Sequence, residues 1–490
     1  MINMEKKKLE EELEDFKEKP LTPKAKFIAG GMTASIYLLM SLSMTPITYY
    51  YNVILGLDAG LIAYAWLLFA IWNALNDPLF AIFQERFISK KYGRRIPYLR
   101  FGAPFLGLFF ILLWMPFLIV DVNQEMVLFL YFLIILLAFD TIYTFMSSAN
   151  GALYFEVTFT QKERTNLAIY TNLVTAIATG IIIAGPLIFL YNQDDGVNPL
   201  LYPAFSILCL VCVFLIILGS YTLKEKPYLK YEEPLGFIEG IKSCFKNKPW
   251  LISQGVGFFS IITNTIFLTG ILYYILIVLS PPFHLVIIFL LTVFVSFIIF
   301  VIFLNKLLDT LGLKYTYLLC VVIGTIGFIL LFFIGWNTFP GWNIYYALAP
   351  LALVAVGFGS ISILGPTFGG ENIDYDEKMT GKRREVTYGG IGALFAKPAI
   401  SIANATFLFI ISIYNFDPDA GSNQSANAIL GLMIAFALIS GICLAISGVF
   451  LLFWPLHGPE WDKIKEELKE IHLKKEIEFL KGLREKGVID

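Results

Sequence analysis

Residues 284–335 read HLVIIFLLTVFVSFIIFVIFLNKLLDTLGLKYTYLLCVVIGTIGFILLFFIG, two apolar stretches separated by a short polar turn. The stretches 284–304 and 314–335 are each long enough, at about 1.5 Å per residue, to cross roughly 30 Å of hydrocarbon as α-helices. Open β-sheets are excluded at this length because their edges leave backbone groups unpaired in lipid. The sequence here therefore predicts two transmembrane helices joined by a turn that contains Gly312.

The same pattern recurs along the whole chain. Of its 490 residues, 57% are apolar and 15% are charged, whereas soluble domains are about a quarter charged. We therefore predict an all-α polytopic membrane protein with twelve transmembrane helices in two six-helix bundles. The twelve apolar segments lie at 27–54, 59–84, 100–120, 126–155, 164–191, 199–222, 251–278, 284–304, 314–335, 343–367, 387–414 and 426–454.

Basic residues indicate how these helices are oriented. All 36 Lys and Arg residues except Lys397 lie at the two ends of the chain or in every second connection. The alternate connections carry acids instead, such as Asp58, Asp121 and Asp417. Because positively charged loops stay on the cytoplasmic side, we predict that both termini are cytoplasmic. We expect the protein to lie in the plasma membrane.

A polar central stretch divides the chain into two halves. Both halves place Gly and basic residues in a short turn, FISKKYGRRIPYL in the first and LLDTLGLKYTYLL in the second, as in two-bundle transporters. Trp461 and Leu468 belong to an apolar stripe that predicts an amphipathic helix at the cytoplasmic face. The predicted parts are an N-terminal segment (1–26), a bundle (27–222), a cytoplasmic loop (223–250), a second bundle (251–454) and an amphipathic tail (455–490).

The sequence offers no enzyme signature. H-E-x-x-H, G-x-S-x-G and P-loop strings are all absent. The net charge of −2 gives no indication of nucleic-acid binding, and the five cysteines do not suggest a disulfide framework. We predict a membrane transporter without a cofactor or resident metal. It would bind a small-molecule solute and membrane lipid, and it would work as a monomer.

Three ionisable residues stand out inside apolar segments: Asp77, Asp140 and Lys397. Charges in hydrocarbon are costly, so they usually face a cavity or a partner. Lys397 is about ten residues past the start of its helix, roughly 15 Å deep, which is far for snorkelling, the alternative explanation. Its ammonium group needs a counter-charge, and Asp77 and Asp140 are the candidates. A lysine whose acidic partner changes with cation occupancy would couple cation and solute.

Both acids have polar neighbours on their own helices. Asn73 precedes Asp77 by four residues and shares its helix face. Together they could ligate a hard cation, or the acid alone could take a proton. Thr144 and Ser147 continue a polar stripe from Asp140, which predicts a coupling or substrate-binding face. The alternative in both cases is hydrogen bonding that serves helix packing.

Charged residues also cluster in the predicted cytoplasmic turns. We expect some of them to form salt bridges that hold the two bundles together at that face, the alternative being that they only set topology. The set is Glu85, Arg86, Arg94, Arg95, Glu156, Arg164, Asp374, Arg383, Arg384 and Glu385.

Three strings resemble a known family. NDPLFAIFQERFISKKYGRRIPYLRFGAP, ALYFEVTFTQKERT and IDYDEKMTGKRREVTYGGIGALFAK are similar to motifs of the glycoside–pentoside–hexuronide:cation symporters of the major facilitator superfamily. The resemblance covers roughly residues 25–455. It implies a twelve-helix, two-bundle symporter that works by alternating access. Its coupling ion would be Na⁺ or H⁺, and its solute a sugar, glycoside or uronate.

The resemblance also implies roles for individual residues. The family's three cation-binding acids fall on Asn73, Asp77 and Ser147, of which only Asp77 keeps a carboxylate. A proton needs one basic group, whereas Na⁺ would need further oxygens from Asn73, Thr144 and Ser147. The family's lysine in the eleventh helix falls on Lys397.

The family's sugar-binding residues are replaced in this chain. The sugar-binding acid falls on Tyr37, the arginine on Asn172 and the stacking tryptophan on Gly151. We therefore keep a carrier of a lysolipid-like amphipathic solute and an uncoupled facilitator as alternatives. The predicted cavity residues are Tyr37, Trp66, Trp72, Asp140, Tyr143, Gly151 and Asn172.

Overall fold

The computed structural model describes residues 21–86, 93, 95–156, 161–190, 198–223, 244–336, 343–380, 385–461 and 463–468. In these ranges the chain forms long helices and no β-strand. The helices are α1 (Pro23–Ile54), α2 (Ala59–Arg86), α3 (Ile96–Trp114), α4 (Glu125–Glu156), α5 (Gln161–Phe189), α6 (Leu201–Thr222), α7 (Lys248–Leu279), α8 and α9 (together Phe283–Trp336), α10 (Asn343–Thr380), α11 (Glu385–Ile413) and α12 (Ala426–Leu452).

The predicted twelve-helix, all-α fold agrees with this arrangement. Eleven spans in the described ranges are long and apolar enough to cross a membrane, and α2 adds a shorter apolar stretch, Ala59–Asn73. The predicted turn between α8 and α9 is present, because Gly312 has a φ of 74° that interrupts the helix there. Glycine reaches this left-handed region without the strain that a Cβ would introduce.

The helices pack in two groups, which we call the N-half (α1–α6) and the C-half (α7–α12). In the N-half α1 packs against α4, α5 and α6, and α3 packs against α4 and α6. In the C-half α7 packs against α10, α11 and α12. The two halves meet mainly where α2 packs against α11 and where the end of α1 packs against α7. A site between the halves can therefore draw side chains from α2, α4 and α11.

The molecule has two ends that the topology distinguishes. We call the end where α1 begins at Pro23 and α12 finishes at Leu452 the termini face, and the opposite end, where α1 finishes at Ile54 and α7 finishes at Leu279, the far face. Both α1 and α7 end at the far face in π-helical turns, Tyr50–Ile54 and Tyr274–Leu279.

One predicted helix boundary was wrong. The apolar segment was expected to end at 367, with Asp374 in a following cytoplasmic turn, but α10 continues to Thr380. Glu371, Asp376 and Glu377 lie on this extension and are less than a tenth exposed. Local hydropathy falls at these charges, but the protein itself covers them, so the helix continues.

The C-terminal segment (residues 454–461 and 463–468) covers part of this extension. Trp461 Nε1 donates to Glu371 Oε2 at 3.1 Å, and Lys465 Nζ donates to Glu371 Oε1 at 3.1 Å. Trp454 Nε1 donates to Asn372 Oδ1 at 3.0 Å. The amphipathic helix predicted for the tail therefore packs against the protein through Trp461, whose side chain is 4% exposed.

Candidate functional site

Asp140 is the centre of a buried polar cluster between α2 and α4. Its side chain is fully buried, and Asn76 Nδ2 donates to Asp140 Oδ2 at 2.6 Å. The amide nitrogen of Asn73, turned toward the carboxylate, donates to the same oxygen at 2.8 Å. Asn73 and Asn76 are three residues apart on α2 and are themselves buried, so they share one helix face. Two amides on α2 thus hold a carboxylate on α4.

Lys397 connects this cluster to the other half of the molecule. Its Nζ atom donates to Thr144 Oγ1 at 3.1 Å, and Thr144 lies one helical turn after Asp140 on α4. The lysine is half-buried on α11, and its side chain crosses from the C-half to the N-half. An ammonium group of the C-half therefore contacts α4 one helical turn from a buried carboxylate.

Local sequence explains why these groups can meet. The polar residues Asp140 and Thr144 are spaced by four on α4, which places them on one face of an otherwise apolar helix. On α11, Gly389, Gly390 and Gly392 precede the lysine. The low dielectric of such a buried site strengthens both the hydrogen bonds and the penalty for losing one partner.

The other predicted cation ligands are placed less fully. Asp77 lies on α2, and its side chain falls outside the part of the structure that is described. Ser147 is half-buried on α4, three residues beyond Thr144. The structure thus brings Asn73 of α2 to Asp140 of α4. The roles of Asp77 and Ser147 in cation binding stay predictions.

The predicted cavity residues differ in how far they are buried. Trp66 is fully buried and donates from Nε1 to Thr48 Oγ1 of α1 at 3.2 Å, so it packs in the core here, and its place in a cavity stays a prediction. Tyr143 is half-buried on α4. Asp140 is the buried centre of the cluster described above, and the other four are exposed: Tyr37 (40%), Trp72 (36%), Gly151 and Asn172.

Most of the predicted gating charges cannot be placed. Arg95 is half-buried just before α3, and Asp374 is half-buried on the extension of α10. The other eight lie outside the described residues or have side chains that do: Glu85, Arg86, Arg94, Glu156, Arg164, Arg383, Arg384 and Glu385.

Two features escaped the sequence analysis. Asn76 is not among the predicted site residues, although its spacing of three from Asn73 is a signal for a shared polar face. Glu371 is not among the predicted site residues either, and its partners Trp461 and Lys465 lie about ninety residues away along the chain. Contacts between such distant positions leave no local pattern to read.

Comparison with known proteins identifies the family. A family model described as MFS/sugar transport protein matches residues 23–458. The chain belongs to this family. Its resemblance to glycoside–pentoside–hexuronide:cation symporters is confirmed, and the family places it among membrane transporters with the major facilitator fold rather than among enzymes.

Individual relatives of this transporter are distant. The uncharacterized symporter YnaJ of Bacillus subtilis (strain 168) is 25% identical over 469 residues, 93% of this chain and 96% of YnaJ. The glucuronide carrier protein homolog of Escherichia coli (strain K12) is 25% identical over 168 residues, 34% of this chain and 35% of the carrier homolog.

Solved structures support the fold. The crystal structure of a D-xylose-proton symporter superposes with a TM-score of 0.60 over 88% of this chain and 97% of that protein, at 15% identity. This likeness shows the fold alone. The protein is an integral membrane transporter of a small-molecule solute.

Proposed function

We propose that this transporter couples the entry of H⁺ or Na⁺ to the uptake of a sugar, glycoside or uronate by alternating access. The observation that carries the proposal is the hydrogen bond from Lys397 to Thr144, which joins the two halves one turn from the buried Asp140. The family and the names of its relatives, a symporter and a glucuronide carrier homolog, support the solute class.

The cluster can exchange its partners when a cation binds. Amide groups offer either an N–H donor or an oxygen acceptor. Asn73 and Asn76 can therefore donate to Asp140 when no cation is present and turn their oxygens to Na⁺, which prefers oxygen ligands. A proton on Asp140 would instead remove the negative charge that lies one helical turn from Thr144, the acceptor for Lys397. In either case the cation changes the polar cluster that lies next to the Lys397–Thr144 contact.

This change links the cation to the arrangement of the halves. Lys397 belongs to the C-half and Thr144 to the N-half, so a change in their contact alters the free energy of one arrangement relative to the other. Linkage makes the effect mutual, because whatever the cation does to solute affinity the solute does to cation affinity. We place the termini face at the cytoplasm, since the basic residues concentrate in the connections on that side.

Uptake into proteoliposomes tests the proposal. Purified protein is reconstituted and offered a panel of glycosides, uronates and lysolipids with an inward Na⁺ gradient, with a pH gradient or with neither. We expect one solute of the first two classes to accumulate only when a gradient is present. Asp140→Asn should reduce this accumulation at least tenfold. Asp309→Asn, the same change at an exposed position on α8, should leave it unchanged.

Other outcomes would overturn parts of the proposal. Solute entry that is equally fast without any gradient would show an uncoupled facilitator. If only lysolipids were transported, the proposed solute class would be wrong and the solute would be a lysolipid. Accumulation that survives Asp140→Asn would remove the cluster from the coupling mechanism.

A further inference from the structure

The two helices that open the two halves end alike. At the far face α1 passes into a π-helical turn at Tyr50–Ile54, and α7 does so at Tyr274–Leu279. A tyrosine immediately precedes each turn, Tyr49 in α1 and Tyr273 in α7. π-Helical turns are rare and occur frequently at functional sites. Because these turns occur at matching positions in both halves, the contact between α1 and α7 at the far face is a candidate functional contact.

Among the described residues, a hydrogen bond and a ring pair join α1 to α7 at the far face. Tyr273 Oη donates to Asn52 Oδ1 at 3.0 Å, and Asn52 Nδ2 donates to the Leu57 carbonyl oxygen at 2.9 Å. The rings of Tyr49 and Tyr273 meet edge to face with their centroids 4.8 Å apart. Tyr49, Asn52 and Tyr273 are all fully buried. The bond to Leu57 holds the Asn52 amide so that its oxygen faces the C-half.

Tyr273 is anchored in its own half by its ring. The ring packs against Phe407 of α11 at 5.1 Å and against Phe416 just beyond α11 at 5.7 Å. Its hydroxyl group reaches the N-half. The donor is thus fixed to one half and the acceptor to the other, and both are shielded from solvent. A buried donor that loses its acceptor carries the full cost of desolvation.

We propose that the Tyr273–Asn52 hydrogen bond is a latch that holds the far face closed and helps to set the balance between the two access states of the transporter. The inference rests on alternating access, which is part of the proposed function. It does not depend on which cation or solute is carried. Opening the far face separates α1 from α7, so this bond must break in the process.

Three tyrosines provide a matched test series. Tyr273→Phe removes the hydroxyl group that bridges the halves. Tyr51→Phe removes a buried hydroxyl group that donates to the Leu113 carbonyl oxygen at 3.0 Å, entirely within the N-half. Tyr274→Phe removes a buried hydroxyl group for which the described structure shows no hydrogen-bond partner. The ring stays in place in each case, so packing is disturbed equally little.

Distances across the far face measure the effect. Spin labels are attached to Met126→Cys on α4 and to Ser422→Cys between α11 and α12, both exposed positions, in the full-length protein. Pulsed electron paramagnetic resonance then gives the populations of short and long distances without any solute. We expect Tyr273→Phe to raise the ratio of long to short distances about fivefold, the effect of one hydrogen bond on an equilibrium. Tyr51→Phe and Tyr274→Phe should leave this ratio unchanged.

Two results would overturn the latch. The first is that Tyr273→Phe gives the same distance distribution as the spin-labelled protein that keeps Tyr273. The second is that Tyr51→Phe shifts the distribution as far as Tyr273→Phe does. Should Tyr273→Phe fail to fold, Asn52→Ala removes the same bond from the other half and must shift the populations in the same direction. Because the readout needs no transport, a failed uptake assay would leave this test intact.

Discussion

At the scale of single residues, the polar contact between α4 and α11 places a hydrogen bond between the halves within one helical turn of a buried carboxylate. Asn73 and Asn76 hold Asp140, Thr144 follows one turn later, and Lys397 donates to Thr144. Because Asn73, Asn76, Asp140 and Thr144 are buried, the loss of a hydrogen-bond partner there costs more than it would at a solvated position.

Thr144→Val should weaken the connection between the halves. Valine keeps the shape of threonine but offers no oxygen to the Lys397 ammonium group, a bond to a charged donor worth about 1.5–3 kcal/mol. We expect gradient-driven uptake to fall about tenfold while the amount of folded protein stays the same.

The control for this change is Thr325→Val. The Thr325 hydroxyl group donates to the Val321 carbonyl oxygen of its own helix and to no other described residue. Its loss should have little effect on uptake. Equal losses in the two variants would mean that the Thr144 contact has no special role.

Sequence could identify the charged residues of the site but not all of their contacts. Asp140 and Lys397 stand out because charges are rare in apolar helices. The predicted pairing of Asn73 with Asp77 rests on one helix alone, in which residues four apart share a face. Which face of α2 meets α4 depends on the packing of two helices, and the structure turns Asn73 and Asn76 toward Asp140.

At the scale of elements, the C-terminal segment stabilises the extension of α10. Glu371 is nearly buried and receives an indole N–H from Trp461 and an ammonium group from Lys465. A buried carboxylate needs such donors because it has lost its hydration. The segment therefore belongs to the folded C-half, which explains why hydropathy alone ended α10 too early.

Trp461→Phe should destabilise the protein through this contact. The change removes one donor to the Glu371 carboxylate, at a cost of about 1.5–3 kcal/mol. We expect a lower midpoint of thermal unfolding in detergent. Trp114→Phe is the matched control, because the buried Trp114 N–H has no described acceptor. If both variants lose the same stability, ring volume rather than the hydrogen bond would be the cause.

Close approach of α9 and α10 depends on glycine. A Cβ at Gly324 would lie 2.8 Å from the Gly357 Cα atom, closer than real contacts allow. Small residues permit such packing between membrane helices. Gly324→Ala should force the helices apart and lower stability by about 1–3 kcal/mol, a typical cost of overpacking.

The comparison for Gly324→Ala is Gly365→Ala on α10. A Cβ there would meet no described atom within 4 Å. Chemical or thermal unfolding should therefore separate the two variants. A destabilised Gly365→Ala would point to helix flexibility, not close packing, as the reason for the glycines.

At the scale of the whole molecule, the architecture could be predicted because lipid allows few solutions. Long apolar runs must form helices, and the two bundles follow from the repeat of turns after the second and eighth helices. The far-face contact of Tyr273 with Asn52 could not be predicted, since these residues are more than two hundred positions apart and neither carries a charge.

Orientation in the membrane is a prediction at this scale. Because the basic residues lie at the ends and in alternate connections, an epitope tag at either terminus should be protected from protease in intact cells. Both tags should be cleaved in inside-out vesicles. Cleavage of either tag in intact cells would contradict the orientation.

The most direct test of the account is a double-mutant cycle between Lys397 and Asp140, read as gradient-driven uptake. Lys397→Met, Asp140→Asn and the double variant are compared at equal amounts of folded protein. If the two residues act as one unit across the halves, each single variant loses at least tenfold and the double variant loses no more than either. Losses that multiply to within about 0.5 kcal/mol would show that the two residues act independently and would contradict the proposed coupling.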